Sequence, residues 1–421
     1  MIETLTEWLN ASSAERERAV QSSLNRIREM DPSIHAWAHV EPQPPTAGGP
    51  LSGIPFAAKD IFETRGLPTE YGSPIYKGRI GTEDAAIVRD LRRRGAILLG
   101  KTHTAAFAHR TPPPTRNPRN LAHTPGGSSS GSAAAVAAGM VPMALGTQTK
   151  GSVLRPASYC GVTGFKPTFG LIPMDGVLPL SASLDTVGFF THTPADMLAL
   201  WDVVSCQLPV VRSDLGSADT AAPTTDNRQL TTPVFAMPEP MPDVEPVMAK
   251  AFQDAVARLR ASGASIRSID IAGILSTLGD ANDTVMYYEG ARFHRQRYDE
   301  YGSRLDEIAA LVERGRTIAE ETYDAAKRDI DECKMKIAKI YETTPMILVP
   351  AATGPAPVGI GWTGDARMNA PWTTLGTPAI SIPLPVREGM PLGLQLTAAH
   401  GQDAQLLATA VRVHASVGDV P

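Results

Sequence analysis

The chain is predicted to fold as an α/β protein, with helices packed on a β-sheet. Helical and strand-like patterns alternate along most of its 421 residues. Hydrophobic residues make up 43% of the chain and charged residues 20%, a balance typical of globular proteins with a large core. Short apolar runs at 96–100, 346–351 and 378–384 have the length and composition of buried strands. The length alone allows one large domain or two ordinary ones.

The first 50 residues are predicted to form a helical region followed by a connector. Residues 13–30 have the pattern of an amphipathic helix, with charged residues between the apolar ones. The apolar side chains that recur at steps of three and four are Val20, Leu24, Ile27 and Met30. We expect this helix to stop at Asp31-Pro32, because proline lacks the N–H group that a helix interior uses. Residues 41–50, rich in Pro and Gly, are predicted to be the connector.

Residues 51–200 are predicted to form the catalytic core. A helix is expected over 84–95, ended by a glycine and followed by the apolar strand. Residues 111–131 contain many Pro, Asn and Gly residues and are predicted to be loop. The Ala-rich run Ser132–Ala138 is predicted to be a buried helix closed by Gly139. Strand-like and turn-like pieces then alternate to about residue 190.

The second half of the chain is predicted to begin with a mobile surface segment at 205–235, which is rich in Ser, Thr, Asp and Pro. Residues 236–421 are expected to supply the rest of the sheet and helix core and the walls of a substrate pocket. Within them, 244–262 and 304–342 have helical patterns with exposed charged faces.

Composition and charge argue against several classes of protein. The net charge of −5 gives no general attraction to nucleic acid or anionic lipid. Three scattered cysteines do not form a disulfide framework, and neither they nor the nine histidines have metal-ligand spacing, so we expect no metal. The N-terminus lacks a basic leader with an apolar run, and no stretch reaches the roughly 18 apolar residues of a membrane helix. We therefore expect a cytoplasmic protein.

Two loops dense in small residues, 124–139 and 145–157, are candidates for the chemistry, because Gly and Ser allow a backbone to approach a ligand closely. A phosphate-binding P-loop is disfavoured because Ser132 occupies the position that should be lysine. A nucleophile elbow at Gly127–Gly131 is disfavoured because a loop, rather than a hydrophobic strand, precedes it.

Together with GIPFAAKD at 53–60, these loops resemble the amidase signature family. That family has a lysine in a G-I-P-x-x-x-K-D segment, a serine in a GGSS loop and a nucleophilic serine in a second glycine-rich loop. The matching residues are Lys59, Ser128 and Ser152. Further similarity lies at 160–170, 183–188, 362–384 and 391–396. The resemblance spans about residues 15–415, and it implies a single large domain with a twisted mixed β-sheet flanked by helices.

The resemblance also implies hydrolysis of a carboxamide through a seryl acyl-enzyme, without a cofactor. Ser152 would be the nucleophile, Lys59 the base, and Ser128, at a cis peptide bond, the proton relay between them. The backbone N–H groups expected to form the oxyanion hole are those of Thr149, Lys150, Gly151 and Ser152. A lysine, with an ordinary pKa of about 10.4, acts as a base only where burial or positive charge lowers its pKa. The apolar run before Lys59 offers such burial.

The second loop departs from the family's commonest form, because Lys150 stands where glycine is usual and Arg155 follows three places after the serine. One hypothesis is that Lys150 and Arg155 bind an anionic group of the substrate, since arginine pairs bidentately with carboxylates. The alternative is that Arg155 braces the loop while Lys150 reaches solvent. Candidate substrate-binding residues are Gly127, Ser129, Arg155 and Trp372, with Asn369 as a further candidate. Asp185 is predicted to be a structural hydrogen-bonding residue.

Other functions stay open on the sequence alone. A glutaminase-type subunit of a tRNA-dependent amidotransferase would have similar motifs, and an amide-forming acyltransferase would use the same three residues. A catalytically silent binding homologue is the alternative outside catalysis. We expect a small-molecule amide as the binding partner and neither nucleic acid nor membrane; a homodimer is compatible with the sequence.

Overall fold

The computed structural model describes residues 2–206 and 233–418. They form one α/β domain with a large mixed sheet flanked by helices, so the predicted fold class is confirmed. The segment predicted to be mobile, 205–235, lies outside the described residues except at its ends, where Ser205 closes a helix and Val234 opens a strand.

Within the described ranges, eleven strands form a single sheet. Their bounds are β1 (Trp37–Gln43), β2 (Pro55–Lys59), β3 (Ile97–Thr102), β4 (Met143–Gln148), β5 (Thr163–Lys166), β6 (Thr186–Thr191), β7 (Val234–Pro238), β8 (Ser265–Ile269), β9 (Met346–Pro350), β10 (Ala379–Leu384) and β11 (Leu392–Ala398). Their order across the sheet is β1-β3-β2-β4-β6-β5-β10-β11-β9-β7-β8. β2 is parallel to β3 and β4, and β7 is parallel to β8 and β9, whereas the other neighbours are antiparallel.

The helices cover this sheet. Their bounds are α1 (Leu5–Asn10), α2 (Ser13–Ile34), α3 (Ala86–Arg93), α4 (Ser130–Ala137), α5 (Leu154–Cys160), α6 (Pro194–Ser205), α7 (Pro246–Ala261), α8 (Ala272–Phe293), α9 (Arg295–Tyr301), α10 (Glu307–Arg316), α11 (Glu320–Thr343), α12 (Ala370–Thr374) and α13 (Asp403–Gly418). None of the helices in the described ranges is long and apolar enough to cross a membrane.

The predicted end of the first long helix was wrong, because α2 continues past Pro32 to Ile34. Pro32 lies in the last turn and is exposed, so the carbonyl that it leaves without a helical partner faces solvent. The helix ends at His35, which adopts the left-handed conformation, and Asp31 Oδ1 accepts a hydrogen bond of 2.6 Å from the Ala36 N–H. A proline in the last turn is thus compatible with the helix.

Two other boundaries differ from the prediction. The connector at 41–50 begins later, because β1 extends to Gln43. The helical pattern at 304–342 divides into α10 and α11, which are separated by residues 317–319. The N–H groups of Thr317 and Ile318 bond to carbonyls three residues earlier, which makes the tight turn that ends α10.

Close packing of α4 places the serine-rich loop against the sheet. A Cβ atom added at Gly131 would overlap the Ala36 carbonyl oxygen and lie 2.5 Å from the His103 nitrogen, so glycine is required there. Ser132 Oγ donates to the Leu145 carbonyl of β4 at 2.8 Å, which satisfies its hydroxyl in the core. The loop before α4 is therefore held beside the carboxyl ends of β2 and β4.

Candidate active site

Lys59 is the last residue of β2, and its side chain is fully buried. Its Nζ lies 2.8 Å from Ser128 Oγ and 2.9 Å from Thr147 Oγ1. Because β2 and β4 are parallel neighbours, their carboxyl ends lie at the same edge of the sheet, which brings Lys59 beside Thr147. Thr147 was not among the residues predicted from the sequence, and its only local signal is its place in the second glycine-rich loop region.

Burial changes the protonation of Lys59. It lowers the pKa of the Lys59 ammonium from its ordinary value to about 7, while the negative charge of Asp185 raises the pKa in part. A substantial fraction of Lys59 is therefore a neutral amine near neutral pH and can accept a proton from the Ser128 hydroxyl.

Ser128 lies at the end of the first small-residue loop, two residues before α4. The Gly127–Ser128 peptide bond is cis. The Ser128 carbonyl accepts a hydrogen bond from the Ala105 N–H at 3.0 Å, and Ser130 Oγ donates to the Gly126 carbonyl at 2.7 Å. These contacts hold the serine side chain against Lys59.

Ser152 lies between β4 and α5 and borders a cavity of about 600 Å³. Its side of the site is open to that cavity, whereas Lys59 and Ser128 are buried behind it. The Ser129 N–H donates to the Ser152 carbonyl at 3.4 Å, which joins the two small-residue loops. The order from solvent inwards is thus cavity, Ser152, the Ser128 loop and Lys59.

Residues 149–152, here called the TKGS loop, are anchored through their side chains and carbonyls. Thr149 Oγ1 donates to Asp185 Oδ1 at 2.5 Å, and Asn282 Nδ2 donates to the Thr149 carbonyl at 3.2 Å. Thr373 Oγ1 donates to the Lys150 carbonyl at 2.9 Å. Among the described residues, no acceptor binds the four backbone N–H groups of this loop. These N–H groups are therefore available to an oxygen atom in the cavity.

Asp185 is buried and accepts three hydrogen bonds, from Thr149 Oγ1 and from the N–H groups of Leu180 and Ser181. Burial raises the pKa of its carboxyl to about 6, although these hydrogen bonds and Lys59 oppose the shift. Asp185 thus holds the TKGS loop by hydrogen bonding, as predicted.

The two cations of the second loop have separate partners. Lys150 Nζ lies 2.5 Å from Asp283 Oδ1 of α8, so Lys150 forms an ion pair instead of standing alone in solvent or in the cavity. Arg155 Nη2 donates to the Gly127 carbonyl at 2.6 Å and to Thr363 Oγ1 at 3.3 Å, so Arg155 braces the first loop. Its buried Nε has no partner in the described part of the chain, although Arg155 lines the cavity.

The other candidates for substrate binding have structural contacts. The Gly127 carbonyl is held by Arg155, and Ser129 Oγ is buried against the backbone of Thr147. Asn369 Nδ2 donates to the Ala351 carbonyl and to Gln395 Oε1. Gly127, Ser129 and Asn369 do not line the Ser152 cavity.

The structure contradicts the expected position of Trp372. Its side chain is buried and lines a different cavity, beside Met368 and Pro371. The reason is the orientation of α12: the neighbouring Thr373 contacts the TKGS loop, while Trp372 lies on another face of this short helix.

Much of the cavity wall comes from segments without a recognisable motif. These lining residues include His109, Arg110, Met286, Asp306, Trp362 and Asp365. Burial lowers the pKa of His109 to about 3, so its ring is neutral near neutral pH. Trp362 is 59% exposed at the cavity. These residues were not predicted from the sequence, because only tertiary packing brings them together.

Comparisons with known proteins agree with this geometry. A family model described as Amidase matches residues 10–407. A glutamyl-tRNA(Gln) amidotransferase subunit of Thermotoga maritima is 30% identical, over 93% of this chain and 90% of the relative. A crystal structure of that glutamyl-tRNA(Gln) amidotransferase protein from the same organism matches with a TM-score of 0.80 and 28% identity, covering 98% of this chain and 94% of that one.

Two further solved structures are similar. A crystal structure of an amidase matches with a TM-score of 0.82 and 26% identity, covering 95% of each chain. A 6-aminohexanoate cyclic dimer hydrolase complexed with substrate matches with a TM-score of 0.80 and 26% identity, covering 96% of this chain and 94% of that one.

Proposed function

This chain belongs to the amidase signature family, and we propose that it hydrolyses a small, non-peptide carboxamide through an acyl-enzyme on Ser152. The observation that carries the proposal is the buried contact of 2.8 Å between Lys59 Nζ and Ser128 Oγ, directly behind the cavity that Ser152 borders. A serine hydroxyl is a weak nucleophile until a base removes its proton, and this arrangement supplies a base with a lowered pKa.

The first half-reaction forms the acyl-enzyme. Ser152 Oγ attacks the amide carbon while its proton moves to Ser128, and the Ser128 proton moves to the neutral amine of Lys59. The N–H groups of the TKGS loop stabilise the negative oxygen of the tetrahedral intermediate, and each such donor contributes about 3–4 kcal/mol in favourable cases. The C–N bond then breaks, and the proton returns through Ser128 to the leaving amine.

The second half-reaction releases the acid. Water attacks the seryl ester and gives its proton to Lys59 through Ser128. The ester C–O bond breaks, Ser152 recovers its proton, and the carboxylic acid leaves the cavity. A base with a pKa near the working pH suits both halves, because it must accept and return a proton in each.

We also propose that the substrate carries a carboxylate near its amide. Arg155 supports this, because its guanidinium lines the cavity and keeps a buried Nε without a partner among the described residues. Lys150 supports it less, since Asp283 compensates its charge. Arg155 therefore has both of the roles that the sequence offered as alternatives: it braces the loop and faces the substrate.

A second candidate is an ammonia-producing component of an amidotransferase. The 30% identity to a glutamyl-tRNA(Gln) amidotransferase subunit over nearly the whole chain favours it. In that case glutamine would be the amide, and a partner would receive the ammonia.

The test is ammonia or amine release from a panel of aryl and aliphatic amides, half-amide acids and glutamine. Ser152→Ala and Lys59→Ala should each lose activity by several orders of magnitude, since about 10⁴–10⁶ is typical for such residues. Ser22→Ala, at an exposed position on α2, is the matched control and should retain activity. Turnover of glutamine alone, or only with a co-purified partner, would favour the amidotransferase candidate.

A further inference from the structure

Helix α8 contacts the TKGS loop through two consecutive side chains. Asn282 Nδ2 donates to the Thr149 carbonyl at 3.2 Å and to Thr374 Oγ1 at 3.0 Å. Asp283 Oδ1 accepts from Lys150 Nζ at 2.5 Å. The helix therefore holds two successive residues of the loop that supplies the candidate oxyanion donors.

The helix is a firm support for these contacts. It has 22 residues and packs against α10, α11 and α12. Its inward face is apolar and includes the buried side chains of Leu278, Ala281 and Val285. Because packed interiors have little free volume, a side chain fixed on such a helix transmits that position to its partner.

The Lys150–Asp283 pair is partly shielded, with side-chain exposures of 28% and 34%. Ion pairs this accessible contribute little to global stability. Their short charge-assisted hydrogen bond is nevertheless directional. Since Thr373 Oγ1 also holds the Lys150 carbonyl, this residue is fixed through its side chain and its main chain together.

We propose that Asp283 is a positioning residue for the amide reaction, which acts through Lys150 to aim the TKGS-loop N–H groups at the developing oxyanion. The inference rests on the proposed function. Without the carboxylate, the Lys150 side chain loses its anchor and the loop samples more orientations. The loss then affects an interaction that is strongest in the transition state, so it lowers kcat more than it raises KM.

The test compares Asp283→Ala, Lys150→Met, their double variant and the conservative Asp283→Glu. Asp280→Ala, which removes a carboxylate from the same helix, is the matched control. The readouts are kcat and KM on the best amide, the melting temperature, and the rate at which an alkyl fluorophosphonate modifies Ser152. In that reaction Ser152 Oγ bonds to phosphorus, fluoride leaves, and negative charge develops on the phosphoryl oxygen.

We expect Asp283→Ala to lower kcat and the modification rate about tenfold, less than the 10²–10³ of a lost oxyanion donor, with KM changed by less than about twofold. Asp283→Glu should recover most of the rate. The double variant should be no slower than Lys150→Met, because the two residues act as one unit. Asp280→Ala should match the unmodified protein.

Unchanged rates in Asp283→Ala, equal losses in Asp280→Ala, or losses that multiply in the double variant would each overturn the inference alone. If the unmodified protein neither releases ammonia from any amide nor reacts at Ser152, the proposed function fails and this inference fails with it.

Discussion

Lys59 Nζ and Ser128 Oγ lie 2.8 Å apart, and both side chains are buried although the lysine belongs to a strand and the serine to a loop. Burial of an unpaired lysine disfavours its charged form, and the Ser128 and Thr147 hydroxyls satisfy its nitrogen without a carboxylate in direct contact among the described residues. The core thus keeps a base ready behind a serine that borders the cavity.

This base predicts the pH dependence of the reaction. Only the neutral amine of Lys59 accepts a proton, and its fraction grows as the pH rises through about 7. We therefore expect kcat/KM to rise over this range and to level off above it. A pH profile with a neutral amide measures this directly. A profile that is flat or falls between about pH 6 and 8 would contradict the role of Lys59 as base.

Asp185→Asn should shift that profile towards lower pH, because the Asp185 carboxylate raises the pKa of Lys59. The maximal rate should also fall, since Thr149 Oγ1 loses its ionised acceptor. Thr149→Val is the matched control: it removes the same hydrogen bond but keeps the carboxylate. That variant should lose rate with a smaller shift of the midpoint, and a shift of the Asp185→Asn midpoint to higher pH would be evidence against this electrostatic account.

Gly151→Ala should lower kcat/KM about 10²-fold, the size of the loss of one oxyanion donor. A Cβ atom at this position would lie 2.7 Å from Asn369 Oδ1 and 2.9 Å from Ala366 Cβ, so the TKGS loop must move. Gly279→Ala is the control, because a Cβ there meets open space in α8. It should keep activity and raise the free energy of unfolding by about 0.5–1 kcal/mol, measured by urea denaturation. Full activity in Gly151→Ala would show that the loop geometry is not critical.

Arg155→Met should remove the preference for a substrate with a carboxylate. The comparison is kcat/KM for a half-amide acid and for its ester-capped analogue. In the unmodified protein the acid should be favoured at least about tenfold, since a charge-assisted hydrogen bond contributes about 1.5–3 kcal/mol. Arg155→Lys keeps the charge but not the planar fork, and it should retain part of the preference. Equal values for both substrates in the unmodified protein would refute the carboxylate proposal.

The sequence predicts features that local patterns determine. β9 and β10 were found because short apolar runs between turn residues have few alternatives, and α4 because its alanines end at Gly139. The Lys59 segment and the two serine loops were found through their motif, which preserves backbone geometry as well as side chains.

Contacts between distant segments could not be predicted in the same way. Thr147, Thr363 and Asp283 contact Lys59, Arg155 and Lys150 respectively, yet no local pattern identifies any of them. Trp372 shows the opposite error, because its motif lies beside the site while its side chain turns to another cavity. These positions depend on how α8 and α12 pack, which a single sequence does not specify residue by residue.

The most direct test of the central claim is the site and rate of modification by an alkyl fluorophosphonate, followed by peptide mass spectrometry. We predict one adduct, on Ser152, which is absent in Ser152→Ala and forms at least about 10²-fold more slowly in Lys59→Met, because general-base assistance contributes about 10²–10⁴. An adduct on Ser128 instead of Ser152, or an unchanged rate in Lys59→Met, would contradict the claim.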